Sequence, residues 1–138
     1  MSLPGAGVSL APGNADLKNA GVIERVVKLT SANMNSTADQ AITIPSTLYR
    51  VTQITARNAS ISLTTAAGGI YTSTAKGGTA VVAAAQVYSA LTASTKFVDL
   101  TLAVTADVLT AGTLYLSLTT AQGAAATADV YVFYQDYA

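Results

Sequence analysis

Residues 113–120 change character at every step. Leu114, Leu116 and Leu118 fall on one side, with Tyr115, Ser117 and Thr119 on the other. Successive side chains of an extended chain point to opposite sides, so an apolar residue at every second position predicts a strand with one buried face. This is the clearest alternation in the chain, and it commits the stretch to a sheet.

The same period recurs along the sequence. In residues 21–30, Ile23, Val27 and Leu29 share a face with Arg25, and Val22 and Val26 share the other with Glu24 and Lys28. The β-branched density of this short run predicts a strand. Residues 31–40 are polar and turn-like, and 41–44 form a short strand ended by Pro45, which has no N–H for a ladder. Residues 48–60 alternate imperfectly: Tyr49, Val51, Gln53, Thr55 and Arg57 oppose Arg50, Thr52, Ile54 and Ala56. Such a strand either lies at an interface or carries a bulge that switches its faces. Residues 79–83 predict a strand followed by irregular chain, although the alanine run within 80–91 also suits a helical turn. In residues 96–105, Val98, Leu100, Leu102 and Val104 oppose Phe97, Asp99, Thr101 and Ala103; in 129–134, Val130 and Val132 oppose Tyr131 and Phe133.

One phrase occurs twice. Ser62-Leu63-Thr64-Thr65-Ala66-Ala67-Gly68-Gly69 leads to Ile70-Tyr71, and Ser117-Leu118-Thr119-Thr120-Ala121-Gln122-Gly123-Ala124 leads to Val130-Tyr131. Each reads as a strand, a small-residue turn and a returning strand, hence as two β-hairpins in related positions, packed in opposite sheets. Their Ala-Gly tips are suited to close approach by another backbone. In total, about eight strands with turn signals between them predict an all-β antiparallel sandwich, jelly-roll-like.

The 138 residues fit one domain. Residues 1–20 read as an extended N-terminal arm and 21–138 as the sandwich. Pro4-Gly5, Gly7 and Pro12-Gly13 break any regular element in the arm, while Leu3, Val8, Leu10 and Leu17 give it apolar points of attachment. It reads as a segment that docks on a neighbouring subunit or as a frayed terminus.

Only 10% of residues are charged, and Ala and Thr make about a third of the chain. Few charges are available to cover a free surface, which predicts packing on copies of itself or on a larger assembly; otherwise Thr, Ser and Asn keep a monomer soluble. The formal net charge is zero. Little repulsion therefore opposes association, and there is no basic footprint for nucleic acid. Residues 1–20 lack a basic leading segment and an apolar core, so no export signal is expected, and no run is long and apolar enough for a membrane span.

The chain has no histidine or cysteine. Ser-His-Asp and Cys-His nucleophile systems and the usual zinc sites are thereby excluded. Glu24 is the only glutamate, and Asp99, Asp107, Asp129 and Asp136 show no spacing that pairs them as acid and base. Asn33, Asn35 and Asp39 lack the acidic density of a calcium loop. Lys76-Gly77-Gly78-Thr79 reverses the order a phosphate loop requires and reads as a turn. No catalytic residue, metal or cofactor is expected. The recognition-capable side chains are the tyrosines, among them Tyr131 and Tyr134, and the strand arginines Arg50 and Arg57. With Leu3, Val8, Leu10, Leu17, Gly68 and Gly69, they are the expected contacts with a further subunit or a larger assembly.

From about residue 48 to 133 the chain resembles small structural proteins of tailed bacteriophages and prophages. The stretches that carry the likeness are Tyr49-Arg50-Val51-Thr52, Leu63 to Thr72, Lys76-Gly77-Gly78-Thr79-Ala80, Ala85-Gln86-Val87-Tyr88, and Leu116 to Val132. The resemblance implies a virion component, a head decoration or cement protein of the kind that often forms trimers on a capsid. The expected partners are further copies, as a homotrimer, and the major capsid protein or other virion proteins. The expected place is the phage head surface, after synthesis in the host cytoplasm. A carbohydrate- or receptor-binding module of a fibre, and a tail or head–tail connector component, are the alternative readings.

Overall fold

The structure, a computed structural model, describes residues 23–138. Eight strands follow one another as β1 (Ile23–Asn33), β2 (Gln40–Thr43), β3 (Tyr49–Arg57), β4 (Ala67–Ser73), β5 (Gly77–Val82), β6 (Phe97–Asp99), β7 (Thr113–Thr120) and β8 (Thr127–Asp136). They form two four-stranded sheets, in the orders β1-β8-β3-β6 and β2-β7-β4-β5. Every pairing is antiparallel.

The topology is that of a folded ribbon. β1 pairs with β8, β2 with β7, β3 with β6 and β4 with β5. Rolling the ribbon adds the pairings β3–β8 and β4–β7 and closes the two sheets face to face. This double Greek key is the jelly roll expected from the strand count. Only β4 and β5 form a hairpin within one sheet; the other connections cross between sheets.

The core lies between the sheets. Leu114, Leu116 and Leu118 of β7 face Ile54 and Ala56 of β3 and Val130, Val132 and Tyr134 of β8 within one buried cluster. Burying a leucine contributes roughly 1.5–3 kcal/mol, so the β7 stripe alone is a large favourable term. The rings of Tyr49 and Tyr134 meet edge to face, with centroids 5.6 Å apart. The Tyr49 hydroxyl donates to the Ala111 carbonyl at 2.6 Å, and burial pushes the phenol up to about 12.

The irregular alternation of β3 has a structural cause. Its register against β8 shifts between Val51 and Gln53. Tyr49 and Val51 are buried before the bulge, Ile54 and Ala56 after it. The Thr52 hydroxyl donates to the Phe133 carbonyl at 3.1 Å across the irregularity.

The repeated phrase is not a pair of hairpins in opposite sheets. Gly68 and Gly69 lie within β4, and the first copy pairs directly with the second, Gly68 against Leu118 and Gly69 against Ser117. Residues 121–126 link β7 to β8 in the other sheet. Gln122, from the second copy, accepts hydrogen bonds from the N–H groups of Thr65 and Ala66 at 3.0 Å each, in the first.

Residues 96–105 are also shorter as a strand than the alternation predicts. The chain pairs with β3 over Phe97–Asp99, then crosses over: the Leu100 N–H donates to Ile54, and the Ala103 N–H to Val81 of β5. Alternation persists through the crossing because both sheets enclose the same core. The strand at 79–83 followed by irregular chain is found as expected.

Candidate functional site: the outer face of the first sheet

Among the described residues, the face of the β1-β8-β3-β6 sheet turned away from the core brings aromatic and charged side chains of four strands together. Strand pairing arranges it in rows. Val26 lies opposite Phe133, which lies opposite Gln53. Lys28, Tyr131, Thr55 and Asp99 form the next row, and Asp129, Arg57 and Phe97 the one after. The bulge in β3 makes this possible: Gln53, Thr55 and Arg57 point outward only because the phase changes at Thr52.

A groove of about 430 Å³ runs along this face, lined by Gln53, Thr55, Arg57, Phe97, Tyr131 and Phe133, with residues 94–96 completing its rim. Phe97 is 64% exposed, a large apolar surface left in water. Tyr131 is held between two cations. The Lys28 ammonium lies 5.3 Å from its ring centroid and the Arg57 guanidinium carbon 5.9 Å. Hydrogen bonding to Tyr131, followed by the nearby Asp129 charge, raises the Lys28 pKa. At the groove's edge the Thr55 hydroxyl donates to Asp99 Oδ1 at 2.6 Å and Gln53 Nε2 donates to the same oxygen at 3.0 Å. These two bonds lower the Asp99 pKa and keep it an ionised acceptor. The surface combines aromatic faces with cations and carboxylates, Asp99 at the groove's edge and Asp129 beside Lys28. It suits a flat apolar group flanked by hydrogen-bonding atoms, whether a partner side chain or a sugar ring.

The expected contact residues divide. Arg57 and Tyr131 meet at the groove, and Arg50 is exposed on the same sheet, opposite Gln135. Tyr134 does not reach the surface: it is 1% exposed, because it shares the inward phase of Val130 and Val132. Gly68 and Gly69 are buried too. A Cβ on Gly68 would fall 2.3 Å from the Leu118 Cα, and one on Gly69 would fall 2.2 Å from the Val82 carbonyl oxygen. The close backbone approach expected of them occurs inside this chain, between β4 and its neighbours. Leu3, Val8, Leu10 and Leu17 lie outside the described residues, as does the arm itself.

Phe97, Phe133, Lys28, Lys96 and Gln53 are the site residues that the sequence reading missed. Alternation already placed Phe97 opposite Val98. What it lacked was the pairing that sets β6 beside β3 and β8.

The remaining acidic groups serve the scaffold. Asp129 Oδ1 accepts from the Ser31 N–H at 2.8 Å, and Oδ2 from Asn58 Nδ2 at 3.1 Å, with the Lys28 ammonium 3.6 Å away. Burial opposes its ionisation, but these donors together hold its carboxyl below the usual value. Asp136 accepts from the Ser46 hydroxyl at 2.7 Å, Arg25 Nε at 3.1 Å and the Ala138 N–H at 3.0 Å. Ser46 first, then Ala138 and Arg25, lower its pKa. Asn33 and Asn35 use their carbonyl oxygens on the N–H groups of Asn35 and Gly123, and Asp39 accepts from Ala75. Among the described residues, no three His, Cys, Asp or Glu side chains come together in a way that would hold a metal ion, and no helix is long and apolar enough to cross a membrane.

No family model, curated protein or solved structure matches the chain.

Proposed function

We propose that this protein is a non-enzymatic structural subunit of a tailed-bacteriophage virion, an oligomeric decoration or cement protein that packs on the capsid through the outer face of the β1-β8-β3-β6 sheet. The observation that carries this reading is the apolar surface of that face, where exposed Phe97 and Val26 and half-buried Tyr131 and Phe133 are set among Lys28, Arg57 and Asp99. A chain with so few charges gains most by covering such a face, at roughly 25 cal/mol for each Å² of apolar area buried. The jelly roll also occurs in capsid and lectin domains, so the fold supports the reading by analogy only. The test is reconstitution of purified protein with capsids lacking it. Saturable binding that Phe97→Asp abolishes supports the proposal, and capsids that bind neither form refute it.

The groove favours a second reading, a carbohydrate-binding module. Three aromatic rings beside Gln53 and Arg57 match the chemistry that stacks and hydrogen-bonds a sugar. A glycan array separates the two: a hit lost in Phe97→Ala and Tyr131→Ala favours the sugar, and a blank array with intact capsid binding removes it.

A further inference from the structure

We propose that the free edge of β1 is a homodimerisation edge, on which a second copy's β1 pairs antiparallel about a two-fold axis at Val26. β1 ends the first sheet, and among the described residues no strand pairs with its outer side. It is eleven residues long, contains no proline, and keeps an unbroken register against β8 from Ile23 to Leu29. A bulge follows at Ser31, beyond Leu29, and the regular seven residues before it carry Glu24, Arg25 and Lys28, charges that discourage an arbitrary partner but leave a template for a strand of matching charge. Two of its apolar side chains are exposed, Val26 at 52% and Ile23 at 45%.

The sequence of this edge is complementary to itself in one register. With Val26 opposite its own symmetry mate, Glu24 lies across from Lys28 of the second copy and Lys28 across from its Glu24. Ile23 meets Leu29 on the other face, and Arg25 meets Val27. Directly opposed charges and apolar pairs are the units that stabilise an antiparallel pair. Slipping the register by one step either way destroys the match. One slip sets Arg25 against Arg25, and the other sets Arg25 against Leu29 and leaves Glu24 and Lys28 without each other. Glu24 and Lys28 are exposed on the solvent face, so each can take a partner across the axis while keeping its contact to Gln135 or Asp129. Such an isologous contact closes on itself and joins two first sheets into one eight-stranded surface. It carries both aromatic grooves on the same side. This inference is independent of the virion reading and differs from the three-fold assembly that the family resemblance implies.

The experiment is sedimentation equilibrium on the full chain between about 1 and 200 µM, a range suited to a small interface. The wild type should show a monomer–dimer equilibrium. Glu24→Lys sets lysines against lysines and Lys28→Glu sets glutamates against glutamates, so each alone should weaken dimerisation roughly tenfold or more. Their equimolar mixture should recover it as a heterodimer. Val26→Lys, a change at an exposed site, should weaken it to the same extent, with an unchanged circular dichroism spectrum reporting the fold. A wild-type monomer at 200 µM, a stable trimer, or dimers indifferent to Glu24→Lys and Val26→Lys would each overturn the proposal.

Discussion

Asp129 and Asp136, near the two ends of β8, gather donors from other parts of the chain. Asp129 joins the β1 bulge at Ser31 to Asn58 after β3, and Asp136 joins Arg25 of β1 to Ser46 before β3. Removing Asp129 leaves the Ser31 N–H and the Asn58 amide without their acceptor, and Asp129→Ala should cost about 1–3 kcal/mol in urea denaturation. Both carboxyls ionise more readily folded than unfolded. The unfolded chain therefore binds more protons in this range, and stability falls with pH from about 4 downward. At the alkaline limit the sign reverses. Tyr49 has its pKa pushed up to about 12 from 10.0, so its contribution is intact below pH 10 and lost through about 12. Denaturant midpoints measured from pH 2 to 12 should show both limbs, and Tyr49→Phe should make the alkaline one shallower without removing it, because burial raises Tyr88 and Tyr134 as well. Gly69 is constrained sterically: Gly69→Ala drives a methyl into the Val82 carbonyl and should destabilise by about 3 kcal/mol.

At the scale of elements, β3 and the β4–β5 hairpin show how local conformation directs chemistry outward. The bulge in β3 was legible, because a strand whose apolar residues change phase needs an extra residue where they do. The phrase repeat was misread, because Gly68-Gly69 has the local composition of a turn, whereas its place in β4 depends on the distant strands β7 and β5 that flank it. The true β4–β5 turn lies at 74–76, where Gly77 N–H donates to the Thr74 carbonyl at 3.1 Å. Ala75 and Lys76 take left-handed φ values of 57° and 58° there. Such φ values cost an alanine about 1 kcal/mol, and the site persists with the Ala75 N–H on Asp39 and the Lys76 ammonium on the Ser117 hydroxyl. Asparagine tolerates this conformation better, so Ala75→Asn should stabilise by about 0.5–1 kcal/mol, visible as a higher melting temperature.

For the whole molecule, the proposed function divides the labour between the core that both sheets enclose and the outer face of the first sheet. Leu116→Ala, in the core, should lose about 2–5 kcal/mol. Phe97→Asp, on the outer face, should leave the melting temperature nearly unchanged while abolishing association with a particle. Equal effects of the two on melting would show that Phe97 belongs to the scaffold. Of the residues that line the groove, Arg57 and Tyr131 were named from residue type and phase. The groove was not readable, since it joins β3, β6 and β8, whose members are far apart in the chain.

By itself the sequence determined the period-two alternation, and with it the all-β class, the approximate strand count and the inward stripes of β7 and β8. These follow from the geometry of one extended chain, which sends alternate side chains to opposite sides. It also determined, through missing residue types, that histidine and cysteine chemistry has no place here. Only the tertiary structure decided which strands are neighbours. Pairing in a rolled ribbon joins residues distant along the chain, and local propensity does not encode that choice. It set the two copies of the phrase side by side, turned Tyr134 into core, and left Tyr131 between Lys28 and Arg57 on an open face.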